Sequence, residues 1–116
     1  MATYTKRLLS ESTDGKPIKL SQTFGPGVKI HTAVSGTSDF DEIYIYATNT
    51  SAASVIVTIE WGTTLDPDGH LVEDVEGYKT HLISPGYLLQ NGLIIRGFAS
   101  TANVINLIGF VNRIAT

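Results

Sequence analysis

A chain of 116 residues with 42% hydrophobic side chains has the size of one domain able to bury a core of its own. It contains no cysteine, which excludes disulfides and thiolate metal sites. Its net charge is −3, and its 8 Lys and Arg residues, scattered singly or as the pair Lys6-Arg7, form no stripe that could neutralise a phosphate backbone, so nucleic acid is not an expected partner.

Apolar runs reach only about four or five residues, far short of the roughly 20 that cross a bilayer, and "MATYTKRLLSES" lacks the apolar stretch of a secretory signal. These features predict a soluble chain, without a membrane partner, whose mature form starts near Met1. Charged residues make up only 16%, while Thr, Ser, Asn and Gly are plentiful, a balance that suits β-structure and wide protein contacts.

In chain order, "TYTKRLL", "PIKLSQ" and "VKIHTAV" predict the first strands, separated by turn chemistry at "TDGKP" (13–17) and "GPG" (25–27). Residues 1–16 also qualify as an extended arm that adds a strand to a neighbour's sheet. After "SGTSD" (35–39), "EIYIYATNTSAASVIVTIEWG" (42–62) predicts two strands and a turn. Its first strand sets Ile43, Ile45 and Ala47 against Tyr44, Tyr46 and Thr48, and its second sets Val55, Val57, Ile59 and Trp61 against Ile56, Thr58 and Glu60. "DPDG" (66–69) predicts a turn, then "HLVEDV" a strand, "YKTHLIS" another that ends at "SPG" (84–86), and "GLIIRGFA" and "NVINLIGFVNRI" the last two, divided by "STAN" (100–103). No segment holds a helical apolar period, so the expectation is a single all-β domain over residues 1–116. It should be a two-sheet antiparallel sandwich of about eight or nine short strands, jelly-roll-like in arrangement.

Several of these strands are apolar on both faces. "NVINLIGFVNRI" carries Val104, Ile108, Phe110 and Ile114 on one side and Ile105, Leu107 and Val111 on the other, and "LIIRGFA" opposes Leu93, Ile95 and Ala99 to Ile94 and Phe98. A two-layer monomer needs one apolar face per strand. The surplus predicts a covering partner, with a second copy of the chain the simplest one and a folded-over segment of the same chain the alternative. Lys6, Arg7, Tyr44, Tyr46, Ile56, Ile94 and Phe98 are the expected interface residues.

Catalytic and metal signatures are missing from the sequence. His31, His70 and His81 lie in separate segments without ligand spacing, and each reads as a structural or solvated side chain. The pairs Asp41-Glu42 and Glu73-Asp74 point to opposite faces of their strands and read as solvated strand ends. "DPDGH" departs from a calcium loop in the place of its glycine, and there is no nucleophile elbow or phosphate-binding glycine pattern. Asn49-Thr50-Ser51 matches a glycosylation sequon but reads as a turn. Trp61 and the tyrosines leave a carbohydrate-binding module as a second function class, although Trp61 shares the core face of its strand. Neither an enzyme nor a cofactor or metal is expected.

The segments "TKRLLSESTDGKPIKL", "DEIYIYATNTSAASVIVTIEWG" and "GLIIRGFASTANVINLIGFVNRI" resemble small virion structural proteins of tailed bacteriophages, especially capsid decoration or cement proteins. The resemblance implies a homo-oligomer, a trimer in the first instance, on the outer surface of the capsid, where it clamps the major capsid protein lattice. Neck, tail and head-fibre components are built from similar sandwiches and form the alternative within the same class.

Overall fold

The computed structural model describes residues 2–115 and contains nine strands. They are β1 (Thr3–Leu8), β2 (Ile18–Lys19), β3 (Val28–Thr32), β4 (Phe40–Asn49), β5 (Val55–Trp61), β6 (His70–Val75), β7 (Thr80–Leu89), β8 (Ile94–Ala99) and β9 (Ile105–Ala115). One sheet, here sheet A, runs β1-β9-β4-β7, with β2 also on β9; the other, sheet B, runs β3-β8-β5-β6, and every pairing is antiparallel. If β1 and β2 are counted as one interrupted strand along β9, the order is that of a jelly roll with four strands in each sheet. The two-sheet antiparallel sandwich expected from the turn spacing is therefore present.

Alternation decides what lies between the sheets. Ile43, Ile45 and Ala47 of β4, Val55, Val57 and Ile59 of β5, Ile95 and Ala99 of β8, and Ile105, Leu107 and Val111 of β9 are all buried. Each large aliphatic side chain removed from water here contributes about 1.5–3 kcal/mol. Leu9 and Leu20, flanking the first two strands, close the same core at 1% and 0% exposure. Leu20 remains tied to β9 beyond β2, donating to the Ile105 carbonyl at 2.9 Å and accepting from the Asn103 amide at 2.9 Å.

Two turns show how local chemistry sets the backbone. Asn91 and Gly92 both have positive φ, 65° and 67°, at the centre of the turn that joins β7 in one sheet to β8 in the other and is closed by the Leu93 amide on the Gln90 carbonyl at 3.3 Å. The Asn49 side chain accepts from the Ser51 amide at 2.9 Å and donates to Ala53 and Val75 carbonyls at 2.7 and 2.9 Å, which makes it the internal brace of the β4–β5 turn.

The expected turn at 84–86 is absent, because β7 continues through "SPG" to Leu89. Pro85 is tolerated because β7 is the edge of sheet A. The strand absorbs the irregularity by shifting register against β4 between Ile43 and Tyr44 and between Ile45 and Tyr46. Gly86 (φ 103°) lies under the Tyr44 ring, where a Cβ would come within 3.0 Å of the hydroxyl. Residues 3–8 of the candidate N-terminal arm pair along β9 of their own sheet as an ordinary edge strand, while Met1 lies outside the described residues.

Candidate functional site

Residues directly opposite on paired strands share a face, so the registers of β1, β9, β4 and β7 define the outer surface of sheet A. One row runs Leu8, Phe110, Tyr44, Pro85; the next holds Ile108, Tyr46 and Leu82; toward the other end, Tyr4, Ile114 and Phe40 align. Tyr44 and Phe110 stack with ring centroids 4.7 Å apart and planes at 16°, and Lys6 Nζ lies 4.8 Å from the centre of the Phe110 ring. The Tyr44 hydroxyl donates to Glu42 Oε1 at 3.2 Å, which raises its pKa, and Asn112 Nδ2 donates to the same oxygen at 3.1 Å. No described segment covers this surface: Leu8, Leu82, Leu88 and Ile108 leave 44 to 51% of their area exposed. So broad an apolar face is uncommon on a monomer.

The expected interface residues divide between the two sheets. Lys6, Tyr44 and Tyr46 lie together on the outer face of sheet A. Arg7 turns the other way on β1, opposite Val111, and lines a hollow at the sandwich edge with Ser10, His31 and Arg113. Ile56, Ile94 and Phe98 lie on the outer face of sheet B, with Phe98 opposite Thr58. There β5, which lies in the opposite sheet from β4, departs from simple alternation: Thr58 and Glu60 are buried at 7% and 1%. The segment 23–27 lies over Glu60, whose Oε1 accepts the Gly27 amide at 2.6 Å.

The structure also assembles a buried polar chain that the sequence did not reveal. Asp41, expected at a solvated strand end, is fully buried. Its Oδ2 accepts from His31 Nε2 at 2.8 Å, from the Val34 amide at 3.1 Å and from Arg113 at 3.0 Å, while Oδ1 accepts Arg113 Nε at 2.7 Å. On the far side of the imidazole, Nδ1 accepts the Ser10 amide at 2.9 Å, and Ser10 Oγ lies 2.7 Å away.

Ser10, His31 and Asp41 thus line up as serine, histidine and carboxylate do in a hydrolytic triad, but their bonding is that of a latch. The backbone of Ser10 already occupies Nδ1, the hydroxyl accepts the Thr32 amide at 2.9 Å, and Asp41 shares its charge with a guanidinium. The chain fastens the segment after β1 to β3, β4 and β9.

Burial pushes the His31 pKa below its usual 6.5, outweighing the Asp41 hydrogen bond and charge. The geometry agrees, since protonating Nδ1 would expel the Ser10 amide. Burial pushes Asp41 upward, but bonds from Arg113 and His31 prevail and hold it below 3.8. In both cases the unfolded state binds protons first as pH falls, so the His31 contribution is intact above 6.5 and lost below it, and the Asp41 contribution is lost below 3.8. Urea midpoints should fall between about pH 8 and about pH 5, and His31→Gln should flatten that slope while lowering stability at the higher pH. An unchanged slope in the variant would assign it to another group.

The remaining histidines pair with carboxylates as well. His81 Nδ1 lies 3.0 Å from Glu73 and Nε2 3.5 Å from Glu76, joining the edge strands β7 and β6 of the two sheets, and His70 Nδ1 lies 3.5 Å from Asp66. Among the described residues, no group of three or more His, Cys, Asp or Glu is placed to hold a metal ion, and no helix is long and apolar enough to cross a membrane. Trp61 packs against the core with the Tyr87 ring edge-on at 6.0 Å. Comparison with protein-family models, curated proteins and solved structures returns no match to this chain.

Proposed function

We propose that this chain is a non-enzymatic structural protein that self-associates through the outer face of sheet A and serves as a decoration component of a phage capsid. The observation that carries the first step is the uncovered surface centred on Tyr44, Tyr46, Ile108 and Phe110. A second copy suits it on charge as well as on apolar character. The charged side chains in its paired rows are Lys6, Lys19 and Glu42, so the face carries a small positive balance although the whole chain carries −3. Association there brings little like charge together, and the acidic excess stays on the remaining surface.

The second step rests on the resemblance of the three sequence segments to tailed-phage virion proteins, and jelly rolls are a common capsid architecture. In that setting the oligomer would be a trimer bound to the major capsid protein, with the turns at the ends of the sandwich gripping the lattice. Sedimentation velocity of the purified chain tests the first step: a stable oligomer is expected at micromolar concentration, and a monomer throughout would overturn it. Binding to expanded phage heads stripped of their decoration protein tests the second.

A further inference from the structure

We infer that the cavity between residues 23–27 and the outer face of sheet B is a receptor for an organic cation, either a primary ammonium or a guanidinium group. This does not rest on the capsid reading and concerns the opposite sheet. The cavity has a volume of about 440 Å³, and its walls include Phe24, Glu60, Thr64, Asp66, His70 and Phe98.

The first indication is a charge without a counterion. Glu60 is 1% exposed, and Gly27 satisfies one of its oxygens. Its cross-strand neighbours are His70 on β6 and Arg96 on β8, but Arg96 donates to the Gly27 carbonyl at 3.3 Å, and no ion pair among the described residues includes Glu60. Carboxylates removed from water are ordinarily paired with a cation or saturated with hydrogen-bond donors.

The second indication is the pair of atoms left open. Among the described residues, the buried side-chain nitrogen and oxygen atoms with no hydrogen-bond partner are Glu60 Oε2 and His70 Nε2. They belong to directly paired residues on one wall of the same cavity. Asp66 Oδ1, 3.5 Å from His70 Nδ1, brings a second carboxylate to the same wall. The open carboxylate oxygen accepts, so the missing group must donate a hydrogen bond.

Charge and shape narrow the ligand further. The lining contains no Lys or Arg, and Asp66 adds a second carboxylate, so an anion is repelled. A neutral alcohol would leave Glu60 uncompensated, and the described residues offer no metal-ligand cluster. An ammonium or guanidinium supplies positive charge and several N–H donors, and the Phe24 and Phe98 rings add cation–π attraction. Phe98 also holds the His70 ring edge-to-face at 5.9 Å.

Gly25 covers the carboxylate so closely that a Cβ there would come 2.6 Å from Oε2. Binding must therefore lift the 23–27 segment slightly, which gives the ligand a backbone signature.

Titration of the full chain with n-butylammonium and ethylguanidinium, followed by amide and imidazole NMR, is expected to give saturable shifts at Gly25, Gly27 and His70. Neutral butanol should give none. Glu60→Gln should weaken binding about tenfold or more, and Asp66→Asn, at an exposed carboxylate that burdens folding little, should weaken it severalfold. Lysine- and arginine-containing peptides that bind more tightly than the free cations would assign the site to a protein partner, and equal affinity would assign it to a small amine. Absence of saturable shifts, equal response to butanol, or wild-type affinity in the folded variants would overturn the inference.

Discussion

Replacing Asp41 with alanine is expected to destabilise the protein by about 3–5 kcal/mol, the usual loss when one partner is removed from a buried ionic network. Asp41 is where β3, β4 and β9 meet chemically. Its two oxygens receive the imidazole of His31, the Val34 amide and both donors from Arg113. Without it, His31, 2% exposed, keeps an N–H with no acceptor, and Arg113 loses its carboxylate at the sandwich edge. Against a total stability of about 5–15 kcal/mol for an ordinary domain, this loss is large enough to depress the urea midpoint severely. Asp41→Asn should cost less, because its carbonyl can still accept one bond. Glu73→Ala is the control: its pairing with His81 is partly solvated and should be worth no more than about 1 kcal/mol. A loss in Asp41→Ala no larger than in the control would mean that the latch contributes nothing.

The strand framework was legible in the sequence because alternation and turn chemistry are local signals. Odd-numbered Ile105, Leu107 and Val111 enter the core and even-numbered Ile108 and Phe110 leave it, as period two requires. The extension of β7 through Pro85 was not legible, since Ser-Pro-Gly ends a strand by local rules and only the edge position and the bulges against β4 permit it to continue. The polar sites were equally hidden. Ser10, His31, Asp41 and Arg113 are brought together by sheet pairing across 103 positions of the chain, and although Asp41 and Glu42 were expected on opposite faces, nothing local showed that the inward one is buried rather than solvated. Glu60 gave a partial signal: a carboxylate on a strand of Val and Ile could have flagged burial, but the covering segment 23–27 lies more than thirty residues earlier. The excess apolar surface was legible as a total. Its division between two opposite faces, with Ile56 and Phe98 on one and Tyr44 and Tyr46 on the other, depended on topology.

That division makes the proposed self-association separable by mutation. Ile108→Glu is expected to dissociate the oligomer while leaving the fold intact, since Ile108 projects from the central strand β9 beside Tyr46 and is 45% exposed in the isolated chain. A carboxylate forced into a dry contact must be desolvated without a partner, at a cost of several kcal/mol, so the association constant should fall about a hundredfold or more. Leu82→Glu, one strand away on the other side of Tyr46, should act in the same direction. Ile56→Glu places the same charge at a similarly exposed position on sheet B and should leave the sedimentation profile unchanged. Removal of residues 2–8 takes away Tyr4, Lys6 and Leu8 while sparing the buried Leu9 and the Ser10 contact with His31, so the sandwich should fold with weakened association. Dissociation by Ile56→Glu with Ile108→Glu still oligomeric would move the interface to sheet B, where the strap over Glu60 would then lie inside it.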